Sequence, residues 1–194
     1  MFRKFTNAAD AMTIAPGMVM ISFSAIALGA AFGGYLPLIA LWMETLEVSF
    51  QQIGIVSGAS ALGIICSAYF APHLAQKYGY VVTINIGLII AAIMTVLFRY
   101  TENYAAWLAI RFVGGLGLGL HWVLTEAWLA NIVSDHGRTR VMAIYATAIS
   151  VGFAAGPGII WLFGFATPTP FYLIAAFLLI AALPIYTLRG HEPN

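Results

Sequence analysis

Two charged side chains, Arg111 and Glu126, lie inside one apolar stretch that runs from residue 111 to residue 131. In a helix that rises ~1.5 Å per residue, this stretch would separate them by about 22 Å. A charge at the centre of a membrane-spanning helix costs at least ~2.5 kcal/mol, so such residues usually face a polar cavity or a partner. We therefore expect each group to face a polar cavity or a partner, and Glu126 is the main candidate for carrying a proton.

Each polar group in the apolar stretches also has a structural alternative. Arg111 lies about one turn from Trp107 and could extend towards the membrane interface, and Glu126 could hydrogen-bond a neighbouring helix. His121 is a second candidate for titration, or a hydrogen-bonded structural histidine. Asn85, in a different apolar run, could line a cavity or simply bond a neighbour. The sequence leaves these alternatives open.

The composition is that of a membrane protein. Of the 194 residues, 62% are hydrophobic and 8% are charged, whereas a soluble domain carries about 25% charged residues. The net charge of +1 and the lack of a basic run argue against a nucleic-acid partner. The single cysteine, Cys66, excludes an intramolecular disulfide framework and a cysteine-based zinc site. No spacing suggests a metal site, a cofactor or a nucleophile–base pair, so we predict a protein that is not an enzyme.

The apolar runs predict six membrane spans in a single domain over residues 1–194. A span needs ~20 mostly apolar residues, and the runs that meet this length cover approximately residues 14–43, 51–74, 80–98, 105–132, 141–165 and 171–188. The sequence therefore predicts an all-α membrane protein embedded in a lipid bilayer.

The basic residues predict the orientation of these spans. An even number of spans puts both termini on one side, and six of the eight basic residues fall on that side: Arg3, Lys4, Lys77, Arg138, Arg140 and Arg189. Lys and Arg are enriched in cytoplasmic loops. We therefore expect both termini to be cytoplasmic.

The turn after the second span resembles the loop motif of the major facilitator superfamily, G-x-L-A-D-R-x-G. The residues of this loop motif are Leu74, Ala75, Gln76, Lys77 and Gly79. Lysine stands in place of the family's arginine, and glutamine in place of the aspartate that helps to latch the two halves of the transporter. The alternative is an ordinary tight turn that needs a glycine at its end.

The fourth span resembles the family's R-x-x-x-G-x-G-x-G helix. Arg111, Gly115, Gly117 and Gly119 occupy the matching positions. In the family this arginine is often tied to proton coupling or substrate binding. Because Gly115 and Gly119 lie one turn apart on one face, they would also let a neighbouring helix approach closely.

The fifth span resembles the G-x-x-x-G-P motif of the family's proton antiporters. Gly152, Gly156 and Pro157 carry the match. Proline removes a backbone donor and should kink the helix there. The alternative is a generic close-packing seam; in either case Gly164, beyond the seam, should tolerate alanine.

The three motifs occur in the family's order, and the resemblance covers the whole chain. It implies the amino-terminal, six-helix half of a twelve-span bundle in a bacterial inner membrane. The implied function is secondary active transport of a small solute by alternating access, with proton-coupled antiport or efflux as one form of it. The implied partner is a second six-helix half, either a carboxy-terminal half or a second copy. The alternative is a non-transporting scaffold or assembly partner that retains the half-transporter fold.

Overall fold

A computed structural model of the chain describes residues 8–132, 135–190 and 192, with side chains from residue 17 onward except at 132–137. Within these ranges the regular secondary structure is helical. The helices are α1 (Ala8–Thr45), α2 (Phe50–Tyr78), α3 (Tyr80–Arg99), α4 (Tyr104–Ile132), α5 (Asp135–Ala155), α6 (Gly158–Phe163) and α7 (Thr169–Thr187).

The described part of the chain holds six segments that are long and apolar enough to cross a membrane. Four of them coincide with α2, α3, α4 and α7 to within a residue, one covers α1 from Gly17, and one joins α5 to α6 over Arg138–Phe163. The prediction of an all-α membrane protein with six spanning helices is confirmed. Arg3 and Lys4, which contribute to the predicted orientation, lie outside the described residues.

Two helices, α1 and α4, are the centres of the packing. Helix α4 packs against α2 and α3, α1 packs against α5 and α7, and α3 and α7 also pack against each other. Helices α2 and α5 each have one main partner. Accordingly, only 28% of the apolar window of α2 and 22% of that of the α5–α6 span are buried, against 39–61% in the other spans. One broad side of α2 and of α5 is therefore open.

Glycines let two of these helix pairs approach through their backbones. A Cβ atom at Gly152 in α5 would overlap with the carbonyl oxygen of Ile26 in α1, and one at Gly156 would overlap with the backbone of the same helix. In the other pair, a Cβ atom at Gly115 in α4 would overlap with the carbonyl oxygen of Ser60 in α2. Larger residues at these positions would hold the helices apart.

The remaining glycines of the fourth-span motif face two different helices. A Cβ atom at Gly119 would overlap with the Ser67 hydroxyl of α2, and one at Gly117 with the carbonyl oxygen of Gly87 in α3. Helix α4 can therefore contact α2 and α3 at once, because glycines lie on both of the faces that it presents to them.

The fifth span is interrupted at the glycine–proline pair. Helix α5 ends at Ala155 and α6 begins at Gly158, because Pro157 has no N–H to donate to the preceding turn. Gly164 follows α6 with φ 71°. The expectation that Gly164 tolerates alanine is wrong, since an L-residue is strained at this φ even though the surrounding space is open.

Candidate functional site

Arg111 is enclosed within this bundle. Its side chain is 2% exposed, and its guanidinium carbon lies 4.9 Å from the centre of the Tyr35 ring in α1, a cation–π geometry. The Tyr35 hydroxyl lies beside Thr95 of α3. Helix α1, distant in the sequence, thus places an aromatic ring over the charge, and Tyr35 is a partner that Arg111 faces.

A second guanidinium group, that of Arg99, also lies over an aromatic ring of α1. The Arg99 guanidinium carbon, at the end of α3, lies 3.9 Å from the centre of the Trp42 ring. Trp42 in turn meets Phe171 of α7 edge to face, with ring centres 6.4 Å apart. Two guanidinium groups thus lie over aromatic rings of α1. Sequence reasoning missed this pairing because the partners are far apart along the chain.

Glu126 has the opposite environment. Its side chain is exposed, and its Oε1 accepts a hydrogen bond of 2.6 Å from the indole Nε1 of Trp122, one turn earlier in α4. The Trp122 ring contacts the Phe32 ring of α1 edge to face, with centres 6.3 Å apart. The structure therefore does not bring Arg111 and Glu126 into one site.

An apolar cleft opens beside Trp122 where α1, α4 and α5 meet. Its empty volume is about 420 Å³, and its lining residues are Leu28, Gly29, Phe32, Leu118, Trp122, Ile149 and Phe153. The Phe32 and Phe153 rings lie 6.1 Å apart at an angle of 48°. Sequence reasoning missed Phe32 and Phe153; the i, i+4 spacing of Trp122 and Glu126 was its only signal for this cleft.

His121 is a fully buried link between three helices. Its Nε2 lies 2.8 Å from the Ser24 hydroxyl of α1, and that hydroxyl donates to the Ala181 carbonyl of α7 over 2.7 Å. Because the Ser24 hydroxyl has one proton, Nε2–H of His121 is the donor between them. Nδ1 has no hydrogen-bond partner among the described residues. This arrangement favours the structural alternative for His121.

Thr125 and Tyr145 form a second buried polar contact next to His121. The Thr125 hydroxyl donates to the His121 carbonyl over 2.7 Å, so the Tyr145 hydroxyl, 2.8 Å away, donates to Thr125. Asn85 lies apart from this group. It is half-buried in α3, and its Oδ1 has no partner within the described part of the chain.

The loop motif forms a one-residue connection between α2 and α3. Gly79 has φ 87°, and its amide donates to the Ala75 carbonyl over 2.8 Å. Gln76 and Lys77 are exposed. The carboxylate of Glu192, beyond the last span, accepts a 2.5 Å hydrogen bond from the Tyr80 amide at the start of α3. A carboxylate from the chain's own tail thus lies on the motif, a contact that sequence reasoning missed.

The described residues contain no group of three histidine, cysteine or acidic side chains placed to hold a metal ion. The Glu126 carboxylate is an accessible polar group beside the apolar cleft, since it accepts a hydrogen bond from the lining residue Trp122. Such an arrangement can bind and release a solute or a proton.

Comparison with known proteins identifies several relatives that are longer than this chain. Multidrug resistance protein 2 of Bacillus subtilis is 26% identical over 152 residues, which make up 78% of this chain and 38% of that protein. The quinolone resistance protein NorA of Staphylococcus aureus is 25% identical over 179 residues, 90% of this chain and 45% of that protein. The chain therefore spans less than half the length of these curated relatives.

The family assignment follows from a match over most of the chain. The sequence model of the Major Facilitator Superfamily matches residues 21–194, a range that includes the loop motif and both glycine motifs. The resemblance predicted from those motifs is confirmed, and these relatives are bacterial proteins. The chain belongs to the major facilitator superfamily, a family of multi-pass membrane transporters.

Proposed function

We propose that this chain acts as one six-helix half of a secondary active transporter that moves a small solute by alternating access. The observation that carries the proposal is the open side of α2 and α5, where the smallest shares of residues are buried. A second bundle packed against this side would bury these two helices about as well as the others.

The polar residues on this open side support a protein partner there. Glu126, Thr147 and Ser150 are exposed, although they lie within spanning segments. A carboxylate facing lipid is expensive. A second six-helix half, either a carboxy-terminal half or a second copy, would cover these groups and form the other wall of a solute pathway.

The glycine seams suggest how the halves move. Backbone contacts at Gly152 and Gly115 join α1 to α5 and α2 to α4. Helices packed this closely move together, since close-packed interfaces change between discrete arrangements rather than deform continuously. Alternating access would then be a rocking of this half against the second one around a site between them, with both termini in the cytoplasm.

The relatives suggest the direction of transport. Two of them are named for resistance to multiple drugs and to quinolones, so we include efflux of a drug-like solute in the proposal. Glu126 is the candidate for proton coupling, because it is exposed beside the cleft and has neighbours, Trp122 and Tyr145, that bear no formal charge at neutral pH. Arg111 is a weaker candidate, since Tyr35 covers it.

The test is solute flux in proteoliposomes with an imposed proton gradient. The protein is reconstituted at two protein-to-lipid ratios, and a panel of drug-like cations, anions and neutral solutes is followed. We expect gradient-driven flux that Glu126→Gln abolishes while solute binding persists. Glu44→Gln, which changes an exposed residue near the C-terminal end of α1, should leave this flux intact.

Three outcomes would count against parts of this proposal. Flux that keeps its dependence on the proton gradient in Glu126→Gln excludes the proton role. Full specific activity from monomers at the low protein-to-lipid ratio excludes the need for a second half. A protein that moves none of the solutes at either ratio, yet is required for assembly of another membrane protein, supports the scaffold alternative instead.

A further inference from the structure

A cluster of hydrogen-bond donors lies at the end of the bundle opposite the loop motif, where α3 ends and α7 begins. We propose that Arg99, Tyr100 and Tyr172 bind the phosphate group of an anionic phospholipid whose acyl chains lie along α3 and α7. This site is separate from the apolar cleft, and the inference does not depend on the proposed transport function.

The cluster lies where two spanning helices reach the membrane interface. Arg99 is the last residue of the third spanning segment, and Tyr172 lies about one turn into the sixth. Tyr100 and Tyr172 are 63% and 46% exposed, and their hydroxyl groups hydrogen-bond to each other. Tyrosine is enriched at this depth, because its ring is apolar and its hydroxyl reaches the head groups. The contact between the hydroxyls joins α3 and α7 into one surface here.

The Arg99 guanidinium lies over a ring rather than on a carboxylate. Its carbon is 3.9 Å from the centre of the Trp42 ring, and its Nε is buried without a hydrogen-bond partner among the described residues. Glu102, the carboxylate nearest to it in the sequence, lines a separate pocket with Gln52 and Tyr104. Because the side chain is only half-buried, the terminal nitrogens are the part of the charge that an anion can reach.

The two tyrosine hydroxyls add a donor beside this charge. They hold two protons between them and use one for their mutual hydrogen bond, so one O–H is left to donate elsewhere. The Arg99 charge lies close enough to act on the Tyr172 hydroxyl. A planar guanidinium can bind phosphate oxygens through two parallel N–H bonds. The cluster therefore offers a positive charge and donors, which complement a phosphate group.

An exposed apolar stripe continues from the cluster along each helix. Its members are Ile86, Ile89, Ile93 and Leu97 on α3, and Leu179 and Leu183 on α7. At ~1.5 Å per residue, the α3 stripe is about 16 Å long, close to half of the ~30 Å hydrocarbon core of a bilayer. An acyl chain fits this length when its head group lies at Arg99. A water-soluble anion would gain nothing from the stripe, so a lipid is the favoured source of the phosphate.

The alternative is that Arg99 only extends towards water at the interface, as basic side chains near helix ends commonly do. Such an arginine would attract anionic lipids no more than another exposed arginine does, and the tyrosine hydroxyls beside it would have no effect. The two cases therefore differ in what a matched arginine and a removed hydroxyl do to lipid binding.

The experiment compares phosphatidylglycerol with phosphatidylcholine that has the same acyl chains. Both lipids contain a phosphate, but the choline cation neutralises the second one. The full chain in detergent is mixed with equal amounts of both, and native mass spectrometry counts each lipid on the protein. We expect a preference for phosphatidylglycerol that Arg99→Gln lowers by about tenfold, the lower end of what a hydrogen bond to a charged group contributes. Tyr172→Phe should lower it by about threefold, since it removes one hydroxyl.

Helix α7 provides a matched control for each variant. Arg189→Gln changes an exposed arginine beyond the opposite end of the helix, and Tyr186→Phe removes the hydroxyl of a tyrosine that is 59% exposed near that end. Both controls should keep the preference of the wild type. Glycerophosphoglycerol, the water-soluble head group, should not displace the lipid at equal concentration.

Several outcomes would overturn the inference. They are equal counts of the two lipids, equal losses in Arg99→Gln and Arg189→Gln, and a preference that Tyr172→Phe leaves unchanged. Displacement of the lipid by glycerophosphoglycerol at equal concentration would assign the cluster to a soluble anion and contradict a lipid site. Tyr172→Phe changes a single exposed hydroxyl, so its comparison with Tyr186→Phe decides the matter even if Arg99→Gln does not fold.

Discussion

Helix α2 carries glycines with opposite surroundings on two of its faces. A Cβ atom at Gly63 would overlap with the carbonyl oxygen of Phe112 in α4, whereas Cβ atoms at Gly54 and Gly58 would meet nothing within 4 Å. Gly63 thus allows close packing of α2 against α4 inside the bundle, whereas Gly54 and Gly58 lie on an uncovered surface. Glycine spacing alone does not distinguish the two uses.

The charges of α4 show the same division. Arg111 is covered by the Tyr35 ring, while Glu126 lies on the open side with only an indole N–H as its described hydrogen-bond partner. The difference indicates that Arg111 belongs to the internal structure of this bundle, whereas the Glu126 carboxylate is accessible from outside it. Variants on the covered side and on the open side of the bundle can test this division.

The largest loss of stability is expected at the α1–α5 seam. Gly152→Leu places a side chain against the Ile26 carbonyl of α1, and a backbone cannot move aside as a side chain can. The cost should lie at the upper end of the ~1–3 kcal/mol typical of overpacking, or above it. Gly158→Leu, where a Cβ atom would meet nothing within 4 Å, is the control. Equal melting temperatures for the two variants in detergent would contradict a seam at Gly152.

The next largest effect is expected where a ring covers a charge. Tyr35→Leu removes the face under the Arg111 guanidinium and should destabilise the bundle by about 2 kcal/mol, the value of a desolvated cation–π contact. Tyr69→Leu removes a tyrosine that is 79% exposed on α2 and should change the free energy of unfolding by less than ~0.5 kcal/mol. If the two variants unfold at the same denaturant concentration, Arg111 is not held by Tyr35.

The sequence predicted the features that depend on one stretch of chain at a time. Apolar length predicted the six spans, because the thickness of the bilayer sets the length of a spanning helix. The helix break at Pro157 follows from the missing N–H and could be predicted from a single residue. The family resemblance was predicted from three local motifs and is confirmed over residues 21–194.

The sequence could not predict features that depend on contacts between distant residues. Arg111 and Glu126 look alike as charges in one apolar run, and only the position of Tyr35 in α1 separates a covered charge from an open one. The cleft likewise needs Phe32 and Phe153 from two other helices. Alanine was expected to be tolerated at Gly164, because the positive φ that makes it unfavourable there cannot be predicted from the neighbouring residues.

A smaller effect is expected at the edge of the covered side, where Glu192 lies on the start of α3. Glu192→Gln keeps a side chain that can accept from the Tyr80 amide but removes the negative charge at the helix N-terminus. Such charges contribute about 0.3–1 kcal/mol at low ionic strength. We expect a slightly lower melting temperature at low salt and a difference that shrinks at high salt. A loss independent of salt would contradict the charge–dipole origin.

The smallest effect on the chain alone is expected on the open face of α2, at Gly58. Gly58→Ala adds a methyl group in open space and should leave stability unchanged or raise it by up to ~1 kcal/mol, since alanine favours helices. Gly63→Ala, the same change five positions further along, should lower stability because its Cβ overlaps with α4.

Gly58→Ala should have its main effect on association rather than on the stability of the bundle. If a second six-helix half covers the open face through a close helix contact, the methyl group of Gly58→Ala holds that helix away and weakens association without weakening the bundle. Cross-linking and energy transfer between labelled halves in lipid would show this as a loss of pairing at unchanged melting temperature. Undiminished pairing in Gly58→Ala would mean that no partner helix approaches α2 closely at Gly58, and the open face there would be in contact with lipid.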